Sequence, residues 1–182
     1  MREPLQQVIS HFQYTKDHPE KFEYLPAGIN SLLDFASCPY GYNLQTRFIS
    51  GIDNLYGREE EALKLAGQHL QNDFELIGLT EEFDLSLLML GRAMQWKICY
   101  YVRGNTGIAR QAKPAPSKRE LSELRQILAP DIALYQEARQ LFEVQTQKWP
   151  DLVKRLPSFQ RENHYFQKLN PTYIRLKQLF KG

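Results

Sequence analysis

Cysteine is scarce in this chain. Cys38 and Cys99 are its only thiols, and two thiols make neither a disulfide framework nor a metal-ligand pattern. A reducing compartment fits that usage. The four histidines, at positions 11, 18, 69 and 164, never fall at metal-ligand spacing, so no metal is expected. No stretch reaches the roughly 18 consecutive apolar residues that a membrane span needs. The N-terminus lacks the basic-then-apolar pattern of a secretory signal. The expectation is a soluble cytoplasmic protein, with an upstream signal or anchor left open. No internal repeat is visible, which sets aside solenoids and propellers.

Net charge is small as well, a formal +2, so overall electrostatics select no partner. Its distribution is uneven. Residues 148–182 carry eight Lys or Arg against two Asp or Glu, and the remaining residues sum to about −4. Such a basic segment is either an ordinary solvated face or a surface for an anionic partner. The 182 residues are 42% hydrophobic and 12% aromatic, enough for a single domain with a real core.

Helical spacing begins at once. Pro4 suits the first helical position, where its missing N–H costs nothing. Leu5, Val8, Ile9 and Phe12 then line one side, with Gln6, Gln7, Ser10 and Gln13 opposite. A helix over 4–16 is expected, followed by a loop over 17–30. "INSLLDFA" (29–36) predicts a short helix, and "SCPYGYNLQTRFISG" (37–51) reads as turn-rich. "REEEALKLAGQHLQN" (58–72) predicts a helix with Ala62, Leu65, Ala66 and Leu70 inward. "FELIGLT" (74–80) is a short apolar run and reads as one buried strand. "EEFDLSLLMLGRAMQW" (81–96) predicts a buried helix with an acidic start. Residues 97–120 read as a long basic loop, and 121–149 as two helices broken at Pro130, with Asp131 accepting from the turn that follows. Phe166, Leu169, Tyr173, Leu176 and Phe180 step by three and four, an apolar side expected to pack on the core after a helix restart at Asn170-Pro171.

The opening "REPLQQVISHF" carries the chemistry. A helix N-terminus offers unpaired N–H groups and partial positive charge to an anion. Arg2 adds a fork of donors matched to phosphate oxygens, and Ser10 a hydroxyl on the polar stripe. This segment resembles the 3′-phosphate-binding segment of the sulfotransferases, especially the Golgi-type branch that includes heparan sulfate 2-O-sulfotransferases. Three further segments resemble the same family: "YNLQTRFISG" (42–51), "FELIGLTEEFDLSLLMLGRAMQW" (74–96) and "LAPDIALYQEARQLFE" (128–143). Together they cover roughly residues 1–145.

The resemblance implies an α/β, P-loop-like sulfotransferase fold. The expected form is incomplete: mostly helical with a small parallel sheet remnant, one domain over 1–182 and a basic helical tail over about 148–182. It implies that Arg2 and Ser10 hold the 3′-phosphate of 3′-phosphoadenosine 5′-phosphosulfate (PAPS), the sulfuryl donor. Gln7 stands where the family commonly has a second Arg. Gln45, Arg47, Arg103 and Arg110 are candidate nucleotide or substrate contacts, with Lys113 beside the last two. The acceptor would be a carbohydrate or a small-molecule hydroxyl. The chain has no Gly-x-x-x-x-Gly-Lys, and "GNTGIARQAK" (104–113) lacks the strand and helix that flank a phosphate loop. Met1 falls where the last apolar residue of a central strand would stand, so the chain is expected to be the C-terminal two-thirds of such an enzyme, with weak or no transfer alone. No catalytic base is assigned, and no nucleic-acid partner is expected. Glu81 and Glu82 sit where sheet-end chemistry is common, although helix N-terminal charge complementarity explains them more cheaply. The alternative reading is a non-catalytic helical module that binds an anionic partner through its basic C-terminal segment.

Overall fold

A computed structural model describes residues 1–22, 25–26, 28–97, 99–102 and 116–179, with side chains described as far as residue 169. The described residues are mostly helical and contain no assigned strand. Eight α-helices follow one another: α1 (Pro4–Asp17), α2 (Leu32–Ser37), α3 (Leu44–Ser50), α4 (Glu59–Asn72), α5 (Phe83–Ala93), α6 (Lys118–Ile127), α7 (Ala129–Gln147) and α8 (Pro150–Leu179). A single 3₁₀ turn, Pro19–Lys21, lies between α1 and α2.

Local chemistry accounts for most of the starts. Ser31 and Asp34 form a reciprocal capping box at α2, and Ser117 and Glu120 form another at α6. Three glutamates fill the first turn of α4, where the helix dipole favours them. Gly51, at φ 72°, ends α3 in the left-handed conformation that glycine adopts without strain.

Apolar clusters hold the helices together: a small one of Ile52, Leu55 and Ala62, and two that join more helices. In the larger, Ala66 and Leu70 of α4, Leu88 and Met89 of α5, Leu134 and Phe142 of α7, and Leu152 and Phe159 of α8 are all buried. In the smaller, Val8 of α1 packs with Phe35 and Ala36 of α2 and Leu124 of α6. The outline of α1, α2, α4, α5 and the α6–α7 pair agrees with the apolar spacing of the sequence.

Three expectations are corrected. Residues 74–80 are largely apolar, with Ile77 and Leu79 buried, but they form no strand. Their backbone groups are satisfied elsewhere: Ile77 N–H donates to Gln145 Oε1 (3.0 Å), and Leu79 N–H to Ser86 Oγ (2.9 Å). The nearest thing to sheet pairing is at Met1, whose amino group donates to the Gly78 carbonyl while Thr80 N–H donates to the Met1 carbonyl (2.8 Å). Those two bonds straddle Met1 as in a parallel ladder, for the length of one residue. Second, the turn-rich reading of 37–51 missed α3. Third, α8 is one helix that runs through Asn170-Pro171 without a restart.

Candidate functional site

Glu3 is the N-cap of α1, and its carboxylate accepts from Leu5 N–H (3.2 Å) and Gln6 N–H (2.7 Å). The first-turn donors that the sequence offers to an anion are therefore filled by the chain's own carboxylate. What remains open is side-chain chemistry. Among the described residues the Arg2 guanidinium and the Ser10 hydroxyl make no hydrogen bond or close ion pair. Gln7 Oε1 is buried and has no partner either. Gln7 and Ser10 are three apart and share a helix face.

The backbone that carries Arg2 is held from several sides. Gln45 closes a two-way bond with it: Arg2 N–H donates to Gln45 Oε1 (3.0 Å), and Gln45 Nε2 donates to the Arg2 carbonyl (2.8 Å). Next along the chain, Glu3 N–H donates to Glu81 Oε1 (2.8 Å). The other oxygen of Glu81 accepts from the Tyr135 hydroxyl (2.8 Å). One turn earlier on α7, the buried Asp131 carboxylate accepts from Thr46 N–H and Thr46 Oγ1 (both 2.7 Å) and from Gln45 N–H (3.2 Å). Asp131 thus caps α3 from a different helix instead of its own, as its position in the sequence had suggested. Asn43, with φ 43°, completes the joint: its Oδ1 accepts from Asp131 N–H (3.1 Å), and its Nδ2 donates to the Ile127 carbonyl (2.9 Å).

These bonds form a closed ring through four segments: 1–3, 43–46, 78–81 and 131–135. They are parts of the four stretches singled out in the sequence. The electrostatics follow from this packing. Burial pushes the Glu81 carboxyl up, but the Glu3 N–H, the Tyr135 hydroxyl and the charge of Arg2 outweigh it and hold the group below the usual carboxylate range. Burial and the neighbouring Glu81 push the Tyr135 phenol well up. Burial also raises the Asp131 carboxyl, against the three donors from Gln45 and Thr46.

A cavity of about 320 Å³ opens beside the ring, lined by Glu3, Glu81, Glu82, Tyr135, Arg139 and Glu143 among others. Four carboxylates to one guanidinium make it hostile to a phosphate. Glu81 itself serves as a structural acceptor here.

The other candidates are dispersed. Gln45 is buried and committed to Arg2. Arg47, two residues on, lies elsewhere: it donates to the Pro39 carbonyl, stacks over the Phe48 ring (5.2 Å), and lines a separate cavity of about 220 Å³ with Tyr42 and Tyr56. Arg2 and Gln45 are brought together, while Arg47 is not part of that contact. Arg103, Arg110 and Lys113, with the whole 104–113 stretch, lie outside the described residues. His11 packs edge-on to Phe35 (5.1 Å) and Phe22 (6.1 Å), and burial lowers its pKa. His18 stacks on Tyr14, and His69 Nδ1 lies 2.7 Å from the Ile49 carbonyl. Among the described residues no cluster of His, Cys, Asp or Glu could hold a metal ion.

Asp131, Tyr135 and Asn43 are the residues that sequence reasoning missed as parts of the site. Their partners lie 54 to 88 residues away, so no local pattern announces them. No protein-family model, no curated protein and no solved structure matches this chain.

Proposed function

We propose that this protein is sulfotransferase-like and binds the 3′-phosphorylated adenosine end of PAPS at the start of α1, in the service of sulfuryl transfer to a carbohydrate or small-molecule hydroxyl. In this reading the chain carries a P-loop-like sulfotransferase fold. The observation that supports it is the hydrogen-bonded ring, since the four family-like segments are bonded to one another in sequence and Gln45 holds the backbone of Arg2. A fixed backbone fixes where the Arg2 side chain starts and spares that part of the entropy lost on binding. Arg2 supplies charge-assisted donors to phosphate oxygens, and Ser10 adds a hydroxyl about 9 Å along the helix axis from Pro4.

The test is thermal stabilisation by adenosine 3′,5′-bisphosphate. A rise in melting temperature that Arg2→Ala abolishes supports the reading, and no rise with the native chain refutes it. Because Gln45 grips only the Arg2 backbone, the substitution removes the guanidinium and leaves the ring intact.

A second reading, a helical module binding an anionic partner through its basic C-terminal segment, is favoured by one observation. No described residue of α8 beyond Asn163 is buried.

A further inference from the structure

We infer that the C-terminal half of α8 is a surface-lying membrane helix that docks on an anionic lipid bilayer. The inference rests on the second reading above and is independent of nucleotide binding at Arg2.

The first half of α8 is anchored. Leu152, Phe159 and Asn163 are buried, and the Asn163 side chain accepts from Tyr101 N–H (2.9 Å). After Asn163 the helix outruns the body. Tyr165 is 65% exposed, Phe166 38% and Leu169 70%, so the apolar side expected to pack on the core is left uncovered. Phe166, the most covered of the three, stacks on Tyr100 at 5.5 Å between ring centres. At 100° per residue, Tyr165, Phe166 and Leu169 fall within one arc of about 100°. The sequence continues the same spacing through Tyr173 and Leu176. On the same wheel Lys168 and Arg175 fall at one edge of that arc and Lys177 at the other. An apolar arc flanked on both sides by cations is the layout of a helix that lies in a lipid interface, with rings and aliphatic chains among the acyl tails and ammonium groups level with phosphates. The whole segment 148–182 carries +6, which complements an anionic leaflet.

Other occupants fit less well. Nucleic acid would reward cations and stacking rings at the centre of the contact, but the most exposed apolar residue here is aliphatic Leu169, which cannot stack. A second copy of the chain would set +6 against +6. Spanning is not an option for the described helices, none of which is long and apolar enough to cross a bilayer.

The test is co-sedimentation of the full chain with vesicles of phosphatidylcholine alone and of phosphatidylcholine mixed with phosphatidylserine. The native chain is expected to sediment with the mixed vesicles and not with the neutral ones, and to be released as salt rises. Leu169→Asp should weaken partitioning by about tenfold or more, and Lys168→Glu should weaken it while steepening the requirement for phosphatidylserine. Both positions are exposed, so unchanged melting temperatures keep the comparison clean. Equal sedimentation with both vesicle types, full retention by Leu169→Asp, or salt-sensitive binding of a single-stranded oligonucleotide with none to vesicles would each overturn the inference. So would concentration-dependent dimerisation abolished by Leu169→Asp in a chain that ignores lipid. Because Leu169 is remote from Arg2 in the chain, loss of lipid binding with adenosine 3′,5′-bisphosphate binding intact separates this inference from the nucleotide reading.

Discussion

Replacing Asp131 by alanine should loosen the joint between α3 and α7. The carboxylate accepts two backbone N–H groups and one hydroxyl, all in a buried setting. Without it the Thr46 hydroxyl can rotate toward another acceptor, but the N–H groups of Thr46 and Gln45 cannot. A stranded buried donor costs about 1–3 kcal/mol. The 2.7 Å bond from Thr46 belongs near the top of that range and the 3.2 Å bond from Gln45 near the bottom. Against this, removing a buried charge returns part of its desolvation cost, which is the reason the carboxyl sits above its usual range. The net expected loss is about 2–3 kcal/mol, a fall in melting temperature of about 4–12 °C for a domain of this size. Asp131→Asn keeps one acceptor oxygen for Thr46 and should cost about half as much. Urea unfolding followed by circular dichroism reads both values. There is also a signature in pH. The folded chain holds the Asp131 proton more tightly than the unfolded chain, so protonation favours folding. The native advantage over Asp131→Asn should therefore shrink as pH rises from the ordinary carboxylate value through the raised one. An Asp131→Ala protein within about 0.5 kcal/mol of the native one would refute the capping role.

Other consequences are as direct. A methyl group on Gly41 would lie 2.2 Å from the Phe35 carbonyl oxygen, a backbone atom that cannot swing aside, so Gly41→Ala should lose about 2 kcal/mol in the same urea assay, and a neutral result would contradict the close turn. His11 sits between Phe22 and Phe35 with its pKa lowered by burial, so the unfolded chain takes up the proton first. Stability should fall as pH drops below about 6.5, and His11→Phe should lose that part of the dependence; equal pH profiles for the two proteins would rule it out. Towards the end of α8, Leu169→Asp should weaken sedimentation with phosphatidylserine-containing vesicles by about tenfold or more without shifting the melting temperature.

The helices that packed as read are those whose signals are local. Pro4 with the Leu5, Val8 and Phe12 spacing marks α1, and Ser31 with Asp34 marks α2. α3 was illegible for a physical reason: its N-cap, Asn43, sits at φ 43° with no local side-chain cap bond, and its first-turn donors are satisfied by Asp131, 85 and 86 residues away. Residues 74–80 have the composition of a strand, but composition cannot say whether a neighbouring strand exists, and Gln145 and Ser86 take the bonds instead. In α8 the three-and-four spacing was visible, but its environment was not, because the body ends near Asn163. At the site, Arg2 and Ser10 stood out by residue type. Gln45 stood out too, and it proved to hold the Arg2 backbone, a role that only the fold reveals.

The most direct measurement of the central claim is calorimetric titration of adenosine 3′,5′-bisphosphate into the native chain and into Arg2→Ala. Saturable binding is expected for the native chain, weakened about 10- to 100-fold when the guanidinium is lost, the worth of one charge-assisted phosphate contact. Absence of binding by the native chain, or equal affinity of the two proteins, would contradict the account.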